Sequence, residues 1–234
     1  MCYHSIERER ISMNKRVIIL GVIILVAAIV IKLVWSGLRS IKVDNFKPAA
    51  VMFVIDSSAS NQKELPEQKK LVKQICNILD PEDQIKIIRV SEDAYLIYEG
   101  APFNGTNIEK VMNEFTKYDS KDYGTAYGVG LKKAFNYAVQ MKKNGYIPAV
   151  VVIGDLENEG SVEKQLNWNT IASEVKEVQS TAPDLAMMFL YAHPSKLDLV
   201  KETLYPVLGE DKLIVSPKQN CDKAIRLFLH LLDR

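Results

Sequence analysis

Hydrophobic and polar positions alternate along this chain in blocks, and the sharpest boundary falls after Ile55. Val51-Met52-Phe53-Val54-Ile55 is uninterrupted apolar sequence, and Asp56-Ser57-Ser58-Ala59-Ser60 follows it directly. A short run rich in branched side chains predicts a strand buried on both faces, with the polar burst at its carboxyl end. Leu65, Leu71, Val72, Ile75, Cys76 and Leu79 then keep helical spacing until Asp80-Pro81 stops the helix. Ile85 to Val90 and Ala94 to Tyr98 read as two strands separated only by a tight turn around Glu92-Asp93, which makes them antiparallel.

The alternation continues to the carboxyl terminus. A short helix is predicted from Asn107 to Phe115, opened by Thr106, and a longer one from Thr125 to Lys143, with Thr125 as its natural cap. Val150 to Ile153 forms another buried strand, ending at Gly154-Asp155. Helices near 169–179, 196–204 and 222–232 then interleave with strands over 185–191 and 213–215. Such a pattern predicts an α/β fold, a doubly wound, mostly parallel sheet with one antiparallel edge strand.

A different pattern precedes the domain. From Val17 to Trp35 the only charge is Lys32, and the stretch approaches the roughly 20 apolar residues that cross a hydrocarbon core. Lys32 lies near the far end, where its stem can snorkel beside Trp35. The run is longer than the apolar region of a cleaved signal peptide and no small-residue cleavage site follows, so an uncleaved anchor is the reading preferred. Arg8, Arg10, Lys15 and Arg16 before the span, against Arg39, Lys42 and Lys47 after it, place the amino terminus in the cytoplasm and the globular part outside it. The expected organisation is a tail over 1–16, a single-pass anchor over 17–35, a linker over 36–48 and one domain over 49–234.

Composition narrows the function. The chain has 234 residues, 47% of them hydrophobic, and a net charge of +1, with no basic patch interleaved with aromatics. Neither nucleic-acid binding nor association through bulk charge is expected. Cys2, Cys76 and Cys221 form no C-x-x-C pair, and His4, His193 and His230 show no ligand spacing. Loops that cradle nucleotide phosphates, and the G-x-S-x-G elbow of serine hydrolases, are absent from the sequence.

The candidate chemistry lies at strand ends. Asp56, Ser58 and Ser60 are spaced D-x-S-x-S, so a loop leaving the strand can turn three hard oxygen donors toward one point, which suits Mg²⁺ or Ca²⁺ rather than zinc. The alternative is that this cluster only caps the next helix. Asp155 ends a buried strand as Asp56 does, and if the two strands are neighbours their carboxylates share one rim at a reversal of strand order. Close carboxylates repel, and a divalent cation between them relieves the repulsion. Thr125, in the polar loop Lys121-Asp122-Tyr123-Gly124-Thr125, can act as a helix cap or as a further oxygen donor. Asp56, Ser58, Ser60, Thr125 and Asp155 are thus the candidate metal set.

These residues resemble the von Willebrand factor A domain and its metal-ion-dependent adhesion site. Asp56-Ser57-Ser58-Ala59-Ser60 matches the D-x-S-x-S element, Gly124-Thr125 the threonine loop and Asp155 the final aspartate, over roughly residues 48–234. The last element departs from the family, which usually carries Thr-Asp-Gly where this chain has Gly154-Asp155-Leu156. The resemblance implies binding without turnover: Mg²⁺, or in its place Mn²⁺ or Ca²⁺, keeps one position open for a carboxylate of a partner protein. The expected role is a membrane-tethered adhesion or assembly module. Two alternatives stay open, a metal-independent scaffold with a degenerate site and a Mg²⁺-dependent phosphatase. The phosphatase would need a general acid two residues after Asp56, where Ser58 stands.

Overall fold

The computed structural model describes residues 47–102, 110–111, 124–157 and 161–232, together with Ala27, Val30 and Lys32. The chain divides into two units, Met1–Phe46 and Lys47–Arg234. In the first, Ala27, Val30 and Lys32 are helical and exposed; the rest of the predicted span over 17–35 lies outside the described residues. Among the described residues no helix is long and apolar enough to cross a membrane.

The second unit is built on strands β1 (Ala49–Asp56), β2 (Gln84–Val90), β3 (Ala94–Gly100), β4 (Ile147–Ile153), β5 (Ala186–Leu190) and β6 (Leu213–Ser216). Helices α1 (Leu65–Ile78), α2 (Tyr127–Lys143), α3 (Trp168–Thr181), α4 (Leu197–Leu208) and α5 (Cys221–Leu231) connect or follow them. The sheet runs β3-β2-β1-β4-β5-β6, with every pairing parallel except β2 with β3. This is the mostly parallel sheet with one antiparallel edge that the sequence predicts. The helix expected over 107–115 falls largely outside the described residues, of which Lys110 and Val111 are helical.

Burial explains the apolar runs. All eight residues of β1 and all seven of β4 are buried, because helices cover both faces. The two faces follow the period of two. Met52, Val54, Val150 and Val152 pack beneath α2, α3 and α4, while Val51, Phe53, Ile55, Val151 and Ile153 pack beneath α1 and α5. Helix α2 lies close to the sheet: a Cβ on Gly130 would sit 2.6 Å from Val90 Cγ2 and 3.0 Å from Val54 Cγ1, so only glycine fits there.

The turn before β2 is pinned by one buried carboxylate. The carboxylate of Asp83, fully buried, accepts the N–H of Ala49 at 2.7 Å and that of Asp80 at 2.8 Å, tying the start of β1 to the turn before β2. Cys76 and Cys221 are both buried and form no disulfide.

Candidate functional site

Strand order reverses between β1 and β4, since the chain runs from β1 to β2 on one side and returns to β4 on the other. That leaves a crevice at the carboxyl ends of these two strands, the usual ligand position in an open parallel sheet. Ile55 pairs with Ile153, so Asp56 and the Gly154-Asp155 step leave the sheet side by side.

Asp56 extends the alternation of Met52 and Val54, and its carboxylate therefore emerges on the α2 side of the sheet. There it is almost wholly buried. Oδ1 accepts the Ser58 N–H at 2.8 Å, and Oδ2 accepts the hydroxyl proton of Tyr127 at 3.1 Å. Burial, with the Asp155 carboxylate adding to it, pushes the Asp56 pKa up to about 6 despite those hydrogen bonds. A buried carboxylate that feels the charge of a second one is what a cation would stabilise.

The loop after β1 is fixed on every side. Ser57 donates both its N–H (2.8 Å) and its hydroxyl (3.1 Å) to the Val90 carbonyl, which turns that side chain toward β2. Asn61, also buried, donates through Nδ2 to the Asp56 carbonyl at 2.9 Å. Ser58 is buried, Ser60 is exposed, and their hydroxyl oxygens lie 3.0 Å apart. Adjacent ligands of an octahedral Mg²⁺ at 2.0–2.1 Å are separated by about 3 Å, so the serine pair already has the spacing of two neighbouring positions.

Thr125 is buried in the loop before α2, which the Ala126 N–H ties to the Ser91 carbonyl at 2.7 Å. The sequence predicts Thr125 as the helix cap, but the cap position is Ala126 and no side chain bonds there. Nor do Asp56 and its serines cap α1: Glu64 holds that position, again without a side-chain bond. The hydroxyls are therefore not committed to helix ends.

Asp155 is partly exposed, with Oδ1 accepting the Glu157 N–H at 2.9 Å and its carbonyl accepting the His193 N–H at 3.0 Å. Leu156 follows at φ 65°, a left-handed conformation that costs a leucine about 1–2 kcal/mol. Its side chain is buried beneath α2 to α4, and that burial, worth roughly 1.5–3 kcal/mol, offsets the strain. A leucine is thus held in a backbone conformation that favours glycine.

Among the described residues no three His, Cys, Asp or Glu side chains cluster as a metal site. The donor set is instead two carboxylates and hydroxyls, all hard oxygens, which fits Mg²⁺, Mn²⁺ or Ca²⁺ in chemistry. Tyr127 and Asn61 both bond to Asp56 and are not evident from motif spacing. Tyr127 sits at the first turn of an apolar helix face, where its ring reads as core. Burial raises its own pKa well above the ordinary value, with the charges of Asp56 and Asp155 adding to the effect, so its hydroxyl stays protonated and donates.

Comparison with known proteins agrees with this fold. Residues 51–158 match the family model of the von Willebrand factor type A domain. No curated protein sequence matches the chain. Solved structures with the same fold include an aerotolerance-related membrane protein from Bacteroides fragilis, 16% identical, with a TM-score of 0.53 over 79% of this chain and 98% of that one. The pilus adhesin SpaC from Lactobacillus rhamnosus GG is 12% identical, with a TM-score of 0.56 over 79% of this chain and 30% of its own. Proximal thread matrix protein 1 from the mussel byssus, in a structure with a zinc-occupied MIDAS motif, is 14% identical, with a TM-score of 0.51 over 80% of this chain and 48% of its own. This chain thus spans about half of the mussel protein and under a third of the adhesin. The domain is of the von Willebrand factor A type in fold.

Proposed function

We propose that this domain is a binding module that holds a divalent cation at the β1–β4 rim and uses it to engage a carboxylate of a partner protein. Asp56, Ser58, Ser60, Thr125 and Asp155 would hold the ion, directly or through water. The ion would supply a Lewis-acidic position that an incoming carboxylate oxygen can fill. Mg²⁺ is the preferred candidate, with Mn²⁺ or Ca²⁺ as substitutes; the zinc in the mussel protein is compatible with a site of this type that accepts divalent ions.

The observation that carries this reading is the buried Asp56 beside Asp155 at the strand-order reversal, with two serine hydroxyls at the spacing of neighbouring metal ligands. Asp56 is a poor candidate for a phosphatase nucleophile, because Ser58 stands where a general acid would be needed and its hydroxyl is bonded to Ser60. Adhesion and assembly, as in a pilus adhesin and a thread matrix protein, are the matching uses of such a site. The apolar run over 17–35 would tether the module to a membrane, in keeping with the membrane protein among its structural neighbours.

Isothermal titration with Mg²⁺ and Mn²⁺ tests the metal half: saturable heat with the native chain and none with Asp56→Ala is expected. Identical heats would remove the site from consideration. A partner captured in Mg²⁺ and released by EDTA uses the cation; one retained in EDTA would instead favour the metal-independent scaffold.

A further inference from the structure

Tyr127 and Gly154 occupy the same space from opposite sides. Gly154 continues the alternation of Val150 and Val152, so any side chain there would point to the α2 face of the sheet. A Cβ built on it would lie 1.9 Å from the Tyr127 hydroxyl oxygen, 3.1 Å from Tyr127 Cζ and 2.7 Å from Asp56 Cβ. That same hydroxyl donates to Asp56 Oδ2 at 3.1 Å and receives the Leu156 N–H at 3.4 Å. It thereby joins the ends of both site strands through one oxygen atom. The chain lacks a hydroxyl at position 154, where the resembling family usually has threonine, and it has one at the same place delivered from the helix.

We infer that Tyr127 is the positioning residue for Asp56, and that Gly154 exists to admit its hydroxyl: the donor that orients the first carboxylate enters from α2 instead of from the end of β4. The tyrosine ring is wholly buried and fixes the oxygen against rotation, since only the ring's two-fold flip is left to it. With the Ser58 N–H on Oδ1 and the Tyr127 hydroxyl on Oδ2, each oxygen of Asp56 has one lone pair committed to the protein and the other left in a set direction. Groups that orient a ligand from behind typically change metal affinity 10- to 100-fold when lost. This inference deepens the proposed function and rests on it for its metal-binding half, while the pairing itself can be measured without metal.

The test is a cycle of Tyr127→Phe, Gly154→Ser and the double variant in the full chain, read by thermal midpoint in EDTA and by Mn²⁺ titration. Tyr127→Phe keeps the ring, so it removes only the hydroxyl. Its Mn²⁺ affinity is expected to fall about 10- to 100-fold. Gly154→Ser places its Cβ against the tyrosine oxygen, and its loss of thermal midpoint should shrink by about 3 °C or more once that oxygen is gone. Additive thermal losses, or a Tyr127→Phe affinity within twofold of native, would overturn the inference. Absence of any native Mn²⁺ binding would count against the proposed function alone; the metal-free cycle then decides the pairing, non-additive losses sustaining it and additive losses ending it.

Discussion

Replacing Asp56 by Asn should stabilise the domain without metal and abolish the proposed cation binding. The fold raises the Asp56 pKa from 3.8 to about 6, chiefly by burial. It therefore prefers the protonated carboxyl by roughly 3 kcal/mol, at about 1.4 kcal/mol per unit. A raised folded-state value means that this contribution is fully present below about pH 3.8 and is lost as pH rises through about 6. Asn mimics the neutral form at every pH. Its Oδ1 can still accept the Ser58 N–H and its Nδ2 can donate to the Tyr127 oxygen, so the packing is kept. In EDTA the variant should match the native chain near pH 4 and exceed it at pH 8 by about 2–3 kcal/mol, or roughly 5–10 °C in thermal midpoint. Mg²⁺ at about 1,000 times its Kd should reverse the order, because only the native chain gains binding energy, about 4.1 kcal/mol at that excess. The assay is thermal unfolding at intervals from pH 4 to pH 8, with and without the ion. A variant less stable than native by the same amount at every pH would refute the reasoning, for it would show that Asp56 is stabilised as a carboxylate by the protein alone.

Two further substitutions test the frame that carries the site. Asp83→Ala leaves the Ala49 and Asp80 N–H groups without their carboxylate acceptor and should cost about 2–4 kcal/mol in urea unfolding; a change under about 1 kcal/mol would mean the two N–H groups find water instead. Gly130→Ala forces a Cβ to within 2.6 Å of Val90 and should cost about 1–3 kcal/mol by lifting α2 off the sheet, with Mn²⁺ affinity falling as Thr125 and Tyr127 move with the helix. Unchanged stability there would show that the helix–sheet spacing is looser than the structure has it.

Most of the scaffold was legible because both faces of β1 and β4 are covered, which writes their burial into the sequence as unbroken apolar runs. The short turn at Glu92-Asp93 likewise dictated the antiparallel edge, since nothing longer than a hairpin connects β2 to β3. Helix α1 begins at Leu65 and ends just before Asp80-Pro81, as its apolar spacing and its breaker require. The cap of α2 was not legible: Thr125 has the right side chain, but the helix starts later because Ala126 is held by Ser91 in the β2–β3 turn, a contact across 35 residues that local sequence does not encode.

The site itself was legible only in part. Asp56 and Asp155 follow from the rule that strand ends carry ligands, but their nearness depends on β1 and β4 being neighbours, which is a property of topology. Tyr127 escaped motif reading because a tyrosine among apolar helix positions looks like core, and most of it is core. The signal was Gly154, which stands where the resembling family usually has threonine and leaves room for a group from the facing helix. Leu156 was hidden for a related reason, since its left-handed backbone is imposed by the loop and tolerated through burial of its side chain.

Anomalous diffraction from crystals grown in Mn²⁺ tests the central claim most directly. A single Mn peak at the β1–β4 rim is expected, within about 2.1–2.3 Å of the Ser58 and Ser60 hydroxyl oxygens and adjoining the carboxylates of Asp56 and Asp155. A rim without a peak at saturating Mn²⁺, with Asp56 still bonded only to Ser58 and Tyr127, would contradict it.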